Sequence, residues 1–177
     1  MQYIGSFEVT TESIIITDPL STIYKSGFFV TLAVPVKNGT WDAFVEKKHY
    51  ISGSFGRDRK SIDWGIRNSK LLIKHKSSNI NGIKNADWEE TGTVDVDGGM
   101  AGFFDNSIDI IKEDKGGNGQ LIKELFKEKE DEDKDGVLLG RYGIAVSSGI
   151  GDGSYDVYSS SNGDCLKIVF DNDLVDD

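Results

Sequence analysis

Glycine sets the grain of this chain: its 21 glycines fall mostly between short apolar runs, and only 2 prolines accompany them. Turn-forming residues recurring in that way punctuate a β-rich fold. The runs at 13–17 (SIIIT), 27–36 (GFFVTLAVPV), 70–74 (KLLIK) and 142–146 (YGIAV) are dense in β-branched and aromatic residues, which suit a pleated, half-buried surface and predict strands. Pro35 has no N–H to give a central ladder, so the second run should end near it or lie at a sheet edge. The run at 165–170 (CLKIVF) follows an Asn162-Gly163 turn signal and is expected to pair with a strand through 155–159 as a hairpin.

One segment follows another period. In 120–130 (QLIKELFKEKE), Leu121, Ile122, Leu125 and Phe126 repeat at helical spacing after a Gly-Gly-Asn-Gly break and predict a helix; a weaker helical pattern covers 108–114. No internal repeat and no long linker divides the chain. The expected architecture is therefore a single domain over 1–177, mainly β: an antiparallel β-sandwich or half-barrel with one edge-packed helix, and a helix and acidic loop at 119–136.

A chain of 177 residues, 37% hydrophobic and 28% charged, is long enough to bury a core without a disulfide or a structural metal. With 20 Lys and Arg against 30 Asp and Glu it carries a net charge of -10, which repels a phosphate backbone, so no nucleic acid is expected as a partner. No window approaches the roughly 18 apolar residues of a spanning helix, and the N-terminal stretch lacks a basic region followed by an apolar one. No membrane is expected, and the expected location is the cytoplasm. A single cysteine, Cys165, forms no intrachain disulfide and fits a reducing compartment. The Asn38-Gly39-Thr40 sequon then reads as chance. The acid is concentrated late: residues 1–90 hold 12 Lys and Arg against 10 Asp and Glu, whereas 91–177 hold 8 against 20.

Some of that acid lies in motifs. Asp131, Asp133 and Asp135, followed by Gly136, match the first half of a calcium loop, where carboxylates at alternate positions converge on a hard cation around a glycine turn. The position that should supply a bidentate Glu is Tyr142, so an EF-hand is not expected; the alternatives are an acidic turn ending the helix and a divalent-ion site for calcium or magnesium. The stretch 148–155 (SGIGDGSY) places three glycines around Asp152 and ends on Tyr155. Such a backbone reaches unusual conformations or admits a ligand closely, but it lacks the lysine and the helix of a phosphate loop. A tight strand-to-strand turn is the plainer alternative. In 95–105 (DVDGGMAGFFD), Asp95 and Asp97 are expected on one face of a strand, where paired carboxylates bind metal, share a proton or simply face solvent. Thr17-Asp18-Pro19 reads as a turn. No nucleophile elbow, zinc-binding helix or Cys-x-x-Cys pair occurs, His49 and His75 have only lysines as charged sequence neighbours, and Cys165 reads as an inert core thiol. Trp41, Trp64 and Trp88 read as core or rim aromatics.

Three patches in order, Ile16-Thr17-Asp18-Pro19, the segment 94–105 and the segment 148–158 (SGIGDGSYDVY), together resemble the bacterial DUF4241 family. The last patch is the most specific, although Asp156 stands where that family commonly has proline, and 120–135 looks like an insertion. The resemblance implies a small soluble bacterial or phage-borne protein of uncharacterised function. It transfers no catalytic residue and marks Asp18, Asp97, Asp105, Asp152 and Tyr155 for attention.

The functional expectation is a soluble cytoplasmic binding module that recognises a protein or small-molecule ligand through acidic-glycine loops, in an immunity or anti-defence role. Its candidate ligand-binding residues are Asp18, Asp97, Asp105, Gly151, Asp152, Gly153 and Tyr155. The alternative is a hydrolase in which Asp18, Asp95, Asp97, Asp105 and Asp152 converge on a divalent cation that activates water. A third reading is a structural calcium site at Asp131, Asp133 and Asp135.

Overall fold

The computed structural model describes residues 1–24, 31–55, 60–78, 86–107, 123, 136–138 and 143–171. They form two antiparallel sheets. The first has the order β1-β4-β5-β11-β10-β6, built from Gln2–Val9 (β1), Gly39–Phe55 (β4), Lys60–His75 (β5), Cys165–Val169 (β11), Gly153–Ser160 (β10) and Trp88–Val96 (β6). The second has the order β3-β2-β7-β9-β8, built from Leu32–Pro35 (β3), Ser13–Thr17 (β2), Met100–Asp105 (β7), Gly143–Ser147 (β9) and Val137–Leu138 (β8). The chain changes sheet through the turns 10–12 and 97–99, so β1 and β2 lie in different layers, as do β6 and β7.

Alternation along the strands explains the layering. In β10, Tyr155 and Val157 are buried while Asp156 and Tyr158 are half-buried; in β11, Leu166 and Ile168 point inward around Lys167. Side chains from both sheets meet in one cluster, with Phe7, Trp41, Leu71, Ile73 and Val157 from the first and Ile14, Ile16, Phe103 and Ile144 from the second. This is a β-sandwich core: each layer buries one face against the other and excludes water from both.

Several sequence expectations hold locally. The 13–17 run is β2, 70–74 lies inside β5, and 142–146 corresponds to β9. The hairpin of β10 and β11 pairs Asp156 with Val169 and Ser159 with Leu166. β3 both ends at Pro35 and sits at the edge of its sheet. One helix was not anticipated: Pro19–Tyr24 (α1), six residues where the sequence read as a turn. The pattern at 108–114, the helix expected over 120–130, apart from the helical Lys123, and the acidic residues Asp131, Asp133 and Asp135 lie outside the described residues. Among the described residues, no helix is long and apolar enough to cross a membrane.

β4 and β5 are far longer than their neighbours. Among the described residues, β1 runs beside β4 as far as the Gln2–Val45 pair, and β11 beside β5 as far as Val169–Lys70, with one further backbone hydrogen bond from Phe170 to Ser69. Beyond these points, among the described residues, β4 and β5 continue as a two-stranded ribbon, with register shifts after Glu46, Tyr50 and Ser52 that bend it.

Candidate functional site

Asp18 is fully buried at the end of β2. Its carboxylate caps α1, accepting the amides of Leu20 at 2.9 Å and Ser21 at 3.1 Å and the Ser21 hydroxyl at 2.7 Å. Pro19 takes the first helical position, where a missing N–H is harmless. The same carboxylate also accepts the amides of Asp97 at 2.9 Å and Gly98 at 2.5 Å. Asp18 thus ties the sheet-changing turn 97–99 to the start of α1. A buried carboxylate is tolerable only with such a set of donors. Gly98 is required there because a Cβ would lie 2.6 Å from the Leu20 Cβ and 3.0 Å from both Asp18 oxygens.

The second glycine-rich turn joins β9 to β10. The Gly151 amide donates to the Ser148 carbonyl at 2.7 Å, the Ser148 hydroxyl to the Gly151 carbonyl at 2.7 Å, and the Tyr155 hydroxyl to that same carbonyl at 2.6 Å. The Tyr155 ring stands edge-on to Phe170 with centroids 5.2 Å apart. Ser148 donates its own amide to Gly99 at 3.0 Å, so the turns 97–99 and 148–152 are bonded to each other. Gly149 adopts a φ of +49°, close against Phe170. The turn is held by Ser148 and Tyr155, while Asp152 points to solvent.

Register places Gly153 opposite Val96, which sets Asp152 and Asp97 at the same end of the β6–β10 pair. Both are exposed, as is Ile150, while Asp95 opposite Ser154 is half-buried. β6 ends at Val96, so Asp97 belongs to the turn and not to the strand that carries Asp95. One pole of the sandwich therefore brings together Asp18, Asp97, Gly151, Asp152, Gly153 and Tyr155.

Asp105 lies elsewhere. Thr17 pairs with Gly102 and Ile14 with Asp105, which puts Asp18 and Asp105 at opposite ends of the β2–β7 pair. The five aspartates Asp18, Asp95, Asp97, Asp105 and Asp152 accordingly do not meet at one point. Asp105 is fully buried and accepts the Thr10 amide at 3.0 Å, the Thr11 amide at 3.2 Å, both threonine hydroxyls and the Ser107 hydroxyl at 2.7 Å. Burial pushes its pKa up, but the hydrogen bonds from Thr10, Thr11 and Ser107 prevail and hold it well below the usual carboxylate range. This carboxylate fixes the sheet-changing turn 10–12. Near it, an open cleft of about 460 Å³ is lined by Glu12, Pro35, Val36, Lys37, Asn38, Asn162 and Gly163, with Lys37 ion-paired to Asp164 at 2.5 Å.

Other singled-out residues resolve simply. Cys165 is buried, and burial, with Asp164 nearby, pushes its thiol up to about 11, which suits an inert core position. Trp41 is core, Trp88 is half-buried and Trp64 is exposed on the ribbon. His49, among lysines in sequence, bonds Asp63 across the ribbon at 2.7 Å. Among the described residues, no three His, Cys, Asp or Glu side chains are placed to hold a metal ion.

The sequence reading missed Ser21, Thr10, Thr11 and Ser107 as partners of the buried acids. Asp18-Pro19-Leu20-Ser21 carries a helix-cap signal that was available. Thr10 and Thr11 are 95 and 94 residues from Asp105, and nothing local joins them. No protein-family model, no curated protein and no solved structure matches this chain.

Proposed function

We propose that the protein is a binding module whose recognition surface is the pole formed by the turns 97–99 and 148–152. One observation carries this reading: both turns are fixed from beneath by buried hydrogen bonds, through Asp18 and through Ser148 and Tyr155, while Asp97, Ile150 and Asp152 stay exposed. Turns held in advance lose little entropy on binding, and functional groups on such turns are presented by a rigid scaffold. Two exposed carboxylates around an exposed isoleucine suit a protein or small ligand carrying positive charge and an apolar part, and the chain's net charge of -10 steers such a partner inward. An immunity or anti-defence role in the cytoplasm, neutralising a basic effector, fits this chemistry, as does membership of the DUF4241 family, whose patches coincide with these turns.

The metal-dependent hydrolase has less support. Asp18 and Asp105 each already accept five hydrogen bonds, which leaves them poorly suited to act as metal ligands. The test is native mass spectrometry of the protein isolated gently from its host, beside an Asp97→Ala, Asp152→Ala variant. A co-purifying mass on the wild type that the variant loses supports the reading. Equal retention by both proteins overturns it, as does a chain that carries metal ions alone and loses hydrolytic activity in chelator.

A further inference from the structure

Four Asn-Gly pairs punctuate the sequence, and two of them, 38–39 and 162–163, lie among the described residues. Asn38 and Asn162 are both exposed and line the same cleft of about 460 Å³. In such a pair the glycine carries no side chain to shield its amide, so that nitrogen can close on the asparagine Cγ. The two pairs are held in opposite ways.

At 162–163 both reacting groups are occupied. The Asn162 Oδ1 accepts the Ser160 hydroxyl at 2.8 Å and the Asp164 amide at 3.2 Å, and its Nδ2 donates to the Asp164 carboxylate at 3.4 Å. The Gly163 amide donates to the Ser160 carbonyl at 2.8 Å. At 38–39, among the described residues, the asparagine side chain has no hydrogen bond, while the backbone before the glycine is gripped. The Trp41 indole N–H donates to the Lys37 carbonyl at 3.1 Å, and His75 Nε2 lies 3.0 Å from the Asn38 carbonyl oxygen. The Ser77 amide donates to His75 Nδ1 at 3.2 Å, so Nδ1 is the acceptor and the ring proton sits on Nε2, aimed at Asn38. Glycine at 39 admits this approach, because a Cβ there would lie 2.7 Å from His75 Nε2.

We propose that Asn38 is a self-modification site, converted through a cyclic imide to aspartate and isoaspartate, with His75 promoting ring closure. The Gly39 nitrogen gives its proton to water and bonds the Asn38 Cγ; the Cγ–Nδ2 bond breaks, and ammonia leaves with a proton returned from water. A water molecule then opens the imide at either carbonyl. Deprotonation spreads negative charge by resonance from the Gly39 nitrogen onto the Asn38 carbonyl oxygen. The Nε2–H of His75 already points at that oxygen, so the donor needs no reorganisation as the charge develops. The Gly39 amide stands at the last pair of the β1–β4 ladder, opposite Val9, where a ladder frays first. The product adds one negative charge to the cleft wall beside Lys37.

Peptide mapping by mass spectrometry tests this on the full chain aged in neutral buffer and digested under mildly acidic conditions. Asn38 is expected to pass through the imide to paired aspartate and isoaspartate peptides, while Asn162 reacts far more slowly. His75→Met removes the donor and is expected to slow conversion of Asn38 about tenfold. His75→Gln, whose side-chain amide still donates, is expected to keep most of the rate, with circular dichroism checking the fold of each variant. An Asn38 that stays an amide, or that converts no faster than Asn162, overturns the proposal whatever the variants do. So does a folded His75→Met chain that converts as fast as the wild type, or a folded His75→Gln chain as slow as His75→Met.

Discussion

Asp105 shows how one buried charge is made stable and what it then controls. Five hydrogen bonds from Thr10, Thr11 and Ser107 depress its pKa, so the unfolded chain takes up the proton first as the pH falls. Its contribution is fully present above the ordinary value of about 4 and is lost as the pH falls from there through the folded value. Asp105→Asn is expected to cost about 3 kcal/mol at pH 7, because an amide cannot accept the same set of donors. Urea unfolding should also show a shallower loss of stability between about pH 5 and 2.5 in that variant; an unchanged acid limb would sink the argument. Cys165 makes a second prediction at this scale. With its thiol pushed up to about 11 inside β11, it should react with an aromatic disulfide reagent at pH 8 only as fast as the chain opens, and promptly in denaturant. In the sequence, Cys165 was legible as a core thiol from its apolar run, whereas the threonines around Asp105 were not legible at all.

At the scale of elements, the turn 148–152 was read from its glycines, but the means of holding it was not. The Ser148 and Tyr155 hydroxyls hold it from below, both donating to the Gly151 carbonyl. Tyr155→Phe removes the 2.6 Å hydrogen bond to Gly151 while keeping the ring on Phe170, and should cost about 1 kcal/mol. Hydrogen exchange at the Gly151 amide should quicken in that variant; equal protection would show that Ser148 suffices. The β7–β9 pair packs closely at Gly102. At Gly102 a Cβ would lie 2.3 Å from the Ile144 carbonyl and 2.8 Å from the Phe104 ring, so Gly102→Ala should destabilise by about 3 kcal/mol in equilibrium unfolding. Strands were readable wherever β-branched runs met turn residues. Their length was harder to read, because β4 and β5 run on past their neighbours without the alternation that a buried face imposes.

For the molecule as a whole, one core drawn from both sheets predicts one cooperative transition. Fluorescence of the buried Trp41 and far-ultraviolet dichroism should report the same midpoint, and Phe103→Ala, at the centre of the cluster, should lower stability by about 3–5 kcal/mol. Two separated midpoints would mean that the sheets unfold independently. The sequence by itself determined the β class, the closing hairpin, the edge position of β3 and the acidic balance, because each follows from local pattern or from a sum over residues. Only the tertiary structure decided which aspartates are buried supports and which are exposed, that Asp18 and Asp105 stand at opposite ends of one strand pair, and that β4 and β5 run on together past β1 and β11 among the described residues. The physical reason is that a carboxylate's role depends on the donors around it, and those donors come from turns that the chain brings together only when two sheets close on one core.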